Sequence, residues 1–302
     1  MKIVTLKDIT LSASSVPEDQ YNGAATSDGE WSAGTYDVDD IVYYTGDIPH
    51  KVYKSVATSN TAVPGTDVEK WTDLGATDRW RMFDEYINTV TSYSGDLVVT
   101  IDATDCDYVG LFNCVAQGID FSLSVGGTVV ASESIDMDMF VPYDYDEWFF
   151  MDSEFSPRVI WTFPMYTSTA LLTITFYNVG GLSSCGMCVV GSGFFVGRTL
   201  FDSEVGFDDY SYKYENETTG AVKMLPGNYR DVGSFKVWAN ADRMDMIKLK
   251  LIQNRGLLAL YDFNNDETNY DSFIFLGFTP KHRIGLKMKT LSRIDFTMEG
   301  VI

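Results

Sequence analysis

Residues 121–135 read FSLSVGGTVVASESI, with apolar side chains on alternate positions (Phe121, Leu123, Val125) up to a Gly126-Gly127 pair, after which a strand-like run resumes. Two adjacent glycines can take the positive φ angles that a two-residue hairpin turn demands, so the stretch predicts two antiparallel strands with a tight reversal. The same alternation runs through Leu172, Ile174 and Phe176 in ALLTITFYNV, residues 170–179. NTVTSYSGDLVVTIDATDCDYVGLF (88–112) and SSCGMCVVGSGFFVG (183–197) add further β-rich runs with clear punctuation. Together these predict a β-sandwich of jelly-roll type over residues 79–197.

Working outward from that sandwich, residues 31–78 hold GTYDV, DIVYYTG and HKVYKSVA, short pieces separated by Gly, Asp and Asn. They predict a compact, aromatic-rich β-meander. Residues 1–30 open with KIVTLKDITL and continue as a Ser, Glu, Asp and Gly-rich linker, which reads as an anchoring arm suited to pairing with a neighbouring sheet edge. Residues 198–302 carry DRMDMIKLKLIQNRGLLALYDFN, FIFLGFTP and SRIDFTMEGVI, and are expected to form a second β-rich docking domain with at most one helix, beginning near Met244. The expected class is therefore mainly β.

Composition agrees: eighteen Tyr and nineteen Phe accompany abundant Thr, Val, Ser and Gly. The formal charge of −21, from 43 acidic against 22 basic side chains, sets a mean field that repels phosphate backbones and anionic lipid heads, which argues against nucleic acid as a partner. Basic residues are denser between Lys236 and Lys289, a region that fits an acidic neighbour or a solvated face. No apolar run reaches the roughly 18 residues needed to span a bilayer, so membrane insertion is not expected. MKIVTLKDITL is broken by Lys7 and Asp8 and does not read as a signal peptide; synthesis in a cytoplasm, with reduced cysteines, is the expectation.

Catalytic patterns are missing. GxSxG, GxxxxGK[ST] and HExxH do not occur, and the two histidines, His50 and His282, fall in different expected domains. DMDMFVPYDYDEWFF, residues 136–150, gathers Asp136, Asp138, Asp144, Asp146 and Glu147 beside aromatics. Paired carboxylates of this kind can serve a glycoside hydrolase or hold Ca²⁺, while a solvated loop is the plainer reading. Cys185 and Cys188 form a CxxC, with Cys106 and Cys114 earlier in the chain. Four thiolates suit zinc or an iron–sulfur cluster, but the seven-residue gap between Cys106 and Cys114 fits no standard zinc spacing, so core thiols and no cofactor are expected.

WSAGTYDVDDIVYYTGDIPHKVYKSVATSNTAVPGTDVEKWTDLG, residues 31–75, resembles the small chitin-binding type 3 carbohydrate-binding modules through Trp31, Tyr36, Asp40, Val42, Tyr53, Asn60, Pro64 and Trp71, with Asp39 at the position of the usual glycine. A larger resemblance, to tail-tip and baseplate proteins of tailed bacteriophages, rests on DRWRMFDEY (78–86), DYVGLFN, SIDMDMF, LTITFYN, SCGMCVVG and VGRTLFDSEVGFDDYS. These resemblances imply a structural virion protein that forms a homo-oligomer with other phage tail proteins, with Trp31, Tyr36, Tyr44, Tyr53 and Trp71 available to a host-surface glycan. They also imply a joint, in which Trp80 and Phe83 pack between module and sandwich while Arg79 and Arg81 pair with nearby acids. The alternatives are a receptor adhesin and a glycosidase using the carboxylates of 136–147.

Overall fold

The computed structural model describes every residue except 139–142, 151–154, 179–180, 216–221, 265–269, 287 and 302. It is mainly β, built from antiparallel sheets. The chain forms two compact units: unit 1 comprises Met1–Asp8, Cys106–Tyr108 and Val190–Ile302, and unit 2 comprises Ile9–Asp105 and Val109–Val189.

Unit 2 holds the sandwich. Counting its strands from Thr91–Ser94, the first sheet runs sixth, third, eighth, first and the second runs fifth, fourth, seventh, second, with Leu11–Ser14 added at the edge beside the second strand. Strand one thus pairs with eight, two with seven, three with six and four with five, the pattern of one long hairpin rolled into two sheets, which is the jelly roll. Alternation does the burying: Leu97, Val99 and Ile101 share one face with Phe121, Leu123, Leu172, Ile174 and Phe176, all buried. Phe121 stacks on Trp161 across the two sheets at 5.1 Å between ring centroids.

The hairpin lies where the alternation put it. Val125 pairs with Thr128, and Gly126 and Gly127 take φ of +58° and +81°. An L side chain in that left-handed region costs roughly 1 kcal/mol or more. Gly127→Ala is accordingly expected to lower the stability of the sandwich by about 1 kcal/mol in urea unfolding; an unchanged midpoint would contradict the turn assignment.

Unit 1 is also built on an antiparallel sheet. Its order is Val190–Phe195 (the end of the strand Leu182–Phe195), Lys2–Leu6, Ala259–Asp262, Ile274–Leu286, Leu291–Gly300, Tyr229–Asn240 and Arg198–Thr199. One face packs on the helix Met244–Gln253 around Phe235, Tyr261, Phe263, Phe275 and Phe296; the Phe235 and Phe263 rings stack at 3.6 Å.

Lys2–Leu6, expected as an arm for a neighbour's sheet, is instead bonded on both edges within its own chain. Ile3 faces Phe194 on one side and Tyr261 on the other. Ile3 and Val4 point to opposite faces and both are buried, which is the signature of a strand covered on both sides. The expected division at residue 198 also moves, because the first strand and the last third of the chain share one core. Gly191 makes the close pairing sterically possible: a Cβ there would lie 2.2 Å from the Thr5 carbonyl oxygen.

Among the described residues, two α-helices interrupt the sheets. We label them α1 (Tyr145–Phe150) and α2 (Met244–Gln253). The second begins where the partial helical period at Met244, Ile247 and Leu251 predicts; these three residues are its buried face.

Asp262, at the end of a central strand of unit 1, has its carboxyl pushed above the usual range by burial, only partly offset by the Asn264 backbone N–H and Lys2. A carboxyl raised in this way favours the fold while protonated, and the benefit is lost as pH rises through its folded pKa. Asp262→Asn is therefore expected to raise the melting temperature of unit 1 near neutral pH, with the gain shrinking as pH falls through the carboxylate range. Equal melting of the two proteins at pH 7 would count against it.

Candidate functional site

The small meander lies in unit 2 as three antiparallel strands, Ile41–Tyr44, Lys51–Ser55 and Trp71–Ala76. GTYDV is not a strand; Tyr36 makes a single bridge to Asn60. Such a sheet has little area to bury, and aromatic rings supply most of it. Tyr36, Val42, Tyr53 and Trp71 are its interior, with Trp31, Tyr44 and Ala62 packed around them. Tyr36 meets Trp71 edge-on at 5.5 Å, and Tyr44 meets Tyr53 at 6.5 Å and Trp31 at 5.7 Å.

Polar atoms of these rings are tied inward. Trp71 Nε1 donates to the Ala62 carbonyl at 2.8 Å, Tyr53 Oη donates to Asp47 at 2.9 Å, and Tyr36 Oη donates to the Ser32 carbonyl while accepting from its N–H. Burial, then the Asp47 hydrogen bond, pushes the Tyr53 phenol well above its ordinary range. Asn60 is satisfied within the fold: its amide nitrogen donates to Ser55 and the Lys70 carbonyl, and its oxygen accepts from Ala62 N–H. Asp39 keeps the glycine-type backbone at φ +78°, a conformation Asp tolerates better than most residues.

Of the five rings expected to face a glycan, Tyr36, Tyr53 and Trp71 are thus buried and have no open face to offer a sugar. Trp31 and Tyr44 are half-buried at the edge. The reason is physical: in a module this small, the rings that would bind are the rings that hold it folded.

The joint is more elaborate than its sequence. Trp80 is buried, stacks on His50 at 4.5 Å and meets Phe83 at 5.9 Å. Glu18 is the hub: its Oε1 accepts from Trp80 Nε1 at 3.1 Å and lies 2.7 Å from His50 Nδ1, while its Oε2 accepts from Arg79 Nη1 at 2.6 Å. Arg79 Nε also donates to the Val16 carbonyl. Arg81 pairs with Asp78 at 3.2 Å, donates to Asn22 and lies over the Tyr21 ring. Asp78 in turn accepts from the backbone N–H groups of Asn22 and Gly23. On the sandwich side, the Met82 N–H donates to Thr91 Oγ1 and the Met82 side chain is fully buried. Glu18 and His50 escaped sequence reasoning because they are distant in sequence from Arg79 and Trp80, and residues 1–30 carry a linker's composition, whereas Asp78 lies three residues before Arg81. The one available signal was Asn22-Gly23, a strong hairpin turn pair that does reverse Gln20–Tyr21 onto Ala24–Ala25.

Glu18→Ala leaves Arg79 and Trp80 Nε1 without their acceptor in a half-buried setting, so a loss of about 2–3 kcal/mol in unit 2 is expected, read by urea unfolding. Glu18→Gln, which keeps the side chain's shape and one acceptor oxygen but loses the charge and the second acceptor, should lose less. Equal and negligible losses would reduce the hub to a surface contact.

The other candidate groups do not assemble. All four cysteines are free and buried; Cys106 belongs to unit 1, while Cys114, Cys185 and Cys188 belong to unit 2. Cys114 and Cys185 lie 3.8 Å apart between sulfurs. The hydrogen bond with Cys185 and burial push the Cys114 thiol up, and burial does the same to Cys188, which keeps both protonated and poor as ligands. Among the described residues, no group of three or more His, Cys, Asp or Glu is placed to hold a metal ion. In the acidic run, residues 139–142 lie outside the described residues. Asp136 Oδ1 accepts from the Asp138 N–H, Asp144 Oδ1 accepts from the Glu147 N–H, and Glu147 Oε2 accepts from the Tyr143 N–H, so three of its carboxylates serve as local turn and helix caps. Among the described residues no helix is long and apolar enough to cross a membrane. No protein-family model and no curated protein sequence matches the chain.

Proposed function

We propose that the chain is a structural protein of a bacteriophage tail tip or baseplate, acting through its surfaces rather than through catalysis. It is made in the bacterial cytoplasm and carried in the virion, where it associates with copies of itself and with other tail proteins. The observation that carries the reading is the joint: within DRWRMFD, which follows the small aromatic module and precedes the jelly roll in the chain, Arg79 and Trp80 bond to Glu18, Trp80 packs on His50, and the Met82 N–H donates to Thr91 at the start of the jelly roll's first strand. The reading is tested by purifying particles through a density gradient and quantifying the chain by mass spectrometry. A fixed copy number per particle supports it, and loss of the chain from intact particles argues against it.

A second part of the proposal concerns glycan contact. Of the five rings expected to face a glycan, the half-buried Trp31 and Tyr44, set edge to face, are the two that retain surface for stacking on a sugar. Trp31→Ala and Tyr44→Ala are expected to weaken binding to host-surface glycan by about 1–2 kcal/mol each, measured by calorimetry on folded protein. Unaltered binding in both variants makes the module architectural.

A further inference from the structure

We propose that α1 of one copy of this chain docks on the outward face of α2 of a second copy, in a head-to-tail contact. The inference rests on the self-assembling part of the reading above, and on neither the tail nor the glycan.

Helix α1 has only six residues, and none of them is buried. Tyr145, Trp148 and Phe149, at i, i+3 and i+4, share one face and are 60–83 % exposed. A helix this short is marginal alone in water. Its start is fixed by the Asp144 and Glu147 caps, so the aromatic face is held open toward solvent. An aromatic face flanked by Asp144 and Asp146 is the kind of exposed patch that marks a contact surface.

Helix α2 offers the complement. Its inner face enters the core of unit 1, while Met246, Leu249 and Ile252, three residues apart, point outward and are 50–54 % exposed. On a helical projection Lys248 and Lys250 flank this stripe on its two sides, with exposed Arg255 just beyond its end and Asp245 at its beginning.

Charge selects the occupant. At −21 the chain repels its own copies on average, so self-contact needs a local reversal of sign. Meeting of α1 with α1 would set Asp144 and Asp146 against themselves. Meeting of α1 with α2 joins apolar to apolar and sets those acids beside Lys248 and Lys250. Such a contact is heterologous, each copy using one patch to give and another to receive, and it propagates or closes into a ring according to the rotation it imposes.

The full chain, studied by sedimentation velocity over rising concentration, should gain mass. The double variants Trp148→Ser/Phe149→Ser and Met246→Ser/Leu249→Ser should each lower the association constant about tenfold or more. Mixed together they should form a one-to-one dimer and nothing larger, because each retains the half the other lacks. Should either serine variant melt early, the test passes to Lys248→Glu/Lys250→Glu, which should dissociate and recover association when mixed with Asp146→Lys. A wild-type chain that stays monomeric at every concentration overturns the proposal, as does association untouched by the variants or no recovery on mixing. Flotation with phosphatidylcholine vesicles that is lost in Trp148→Ser/Phe149→Ser would assign the aromatic face to a lipid surface instead, and overturn it equally.

Discussion

A chain lacking residues 1–8 is expected to lose the folded state of unit 1. Lys2–Leu6 is hydrogen-bonded to Gly191–Phe195 on one edge and to Ala259–Asp262 on the other, so its removal exposes two strand edges at once and uncovers the cluster that Ile3 helps to close. A single Ile3→Ala change should already cost about 2–4 kcal/mol, the range for deleting a buried aliphatic side chain. The measurement is amide hydrogen exchange: protection of residues 259–262 and 274–279 should vanish in the truncated chain, whereas 97–102 and 170–177 in unit 2 keep theirs. Retained protection in 259–262 would show that the strand is dispensable, and would return residues 1–8 to the role of an external arm.

Trp71→Ala should unfold the small module. Trp71 contacts Tyr36, donates to the Ala62 carbonyl and is one of only four buried residues in the module's cluster. Replacing a buried Trp by Ala costs about 3–5 kcal/mol, which a three-stranded sheet of this size has little other burial to offset. Exchange protection in 41–44 and 51–55 should collapse, with the jelly roll unaffected. Trp31→Ala, at the edge, should cost far less stability. Equal destabilisation by the two changes would make Trp31 an interior residue and remove it from the glycan-facing surface.

These two cases show what could be read from the chain and what could not. The hairpin at Gly126-Gly127 and the strands around Leu97, Leu172 and Ile174 were legible because alternation and turn chemistry are local. The jelly-roll pairing was foreseen as a class; its register follows from rolling one hairpin. The place of Lys2–Leu6 was not legible: Ile3 and Val4 in succession do signal a strand buried on both faces, but its partners lie 193 and 260 residues away, as the Lys2–Phe195 and Lys2–Asp262 pairings show. The joint was half legible. Trp80 and its arginines announced themselves by type, whereas Glu18 and His50 carry no local pattern and join them only through the fold. The aromatic module was recognisable by its residues, yet sequence does not separate a ring that binds from a ring that packs, and Tyr36, Tyr53 and Trp71 fell on the packing side.

Immunogold electron microscopy of intact particles, with antibody raised against the folded chain, tests the central claim most directly. The account predicts gold at the distal end of the tail. Gold confined to the head, or particles that bear none while the chain stays in the soluble fraction of the lysate, would contradict it.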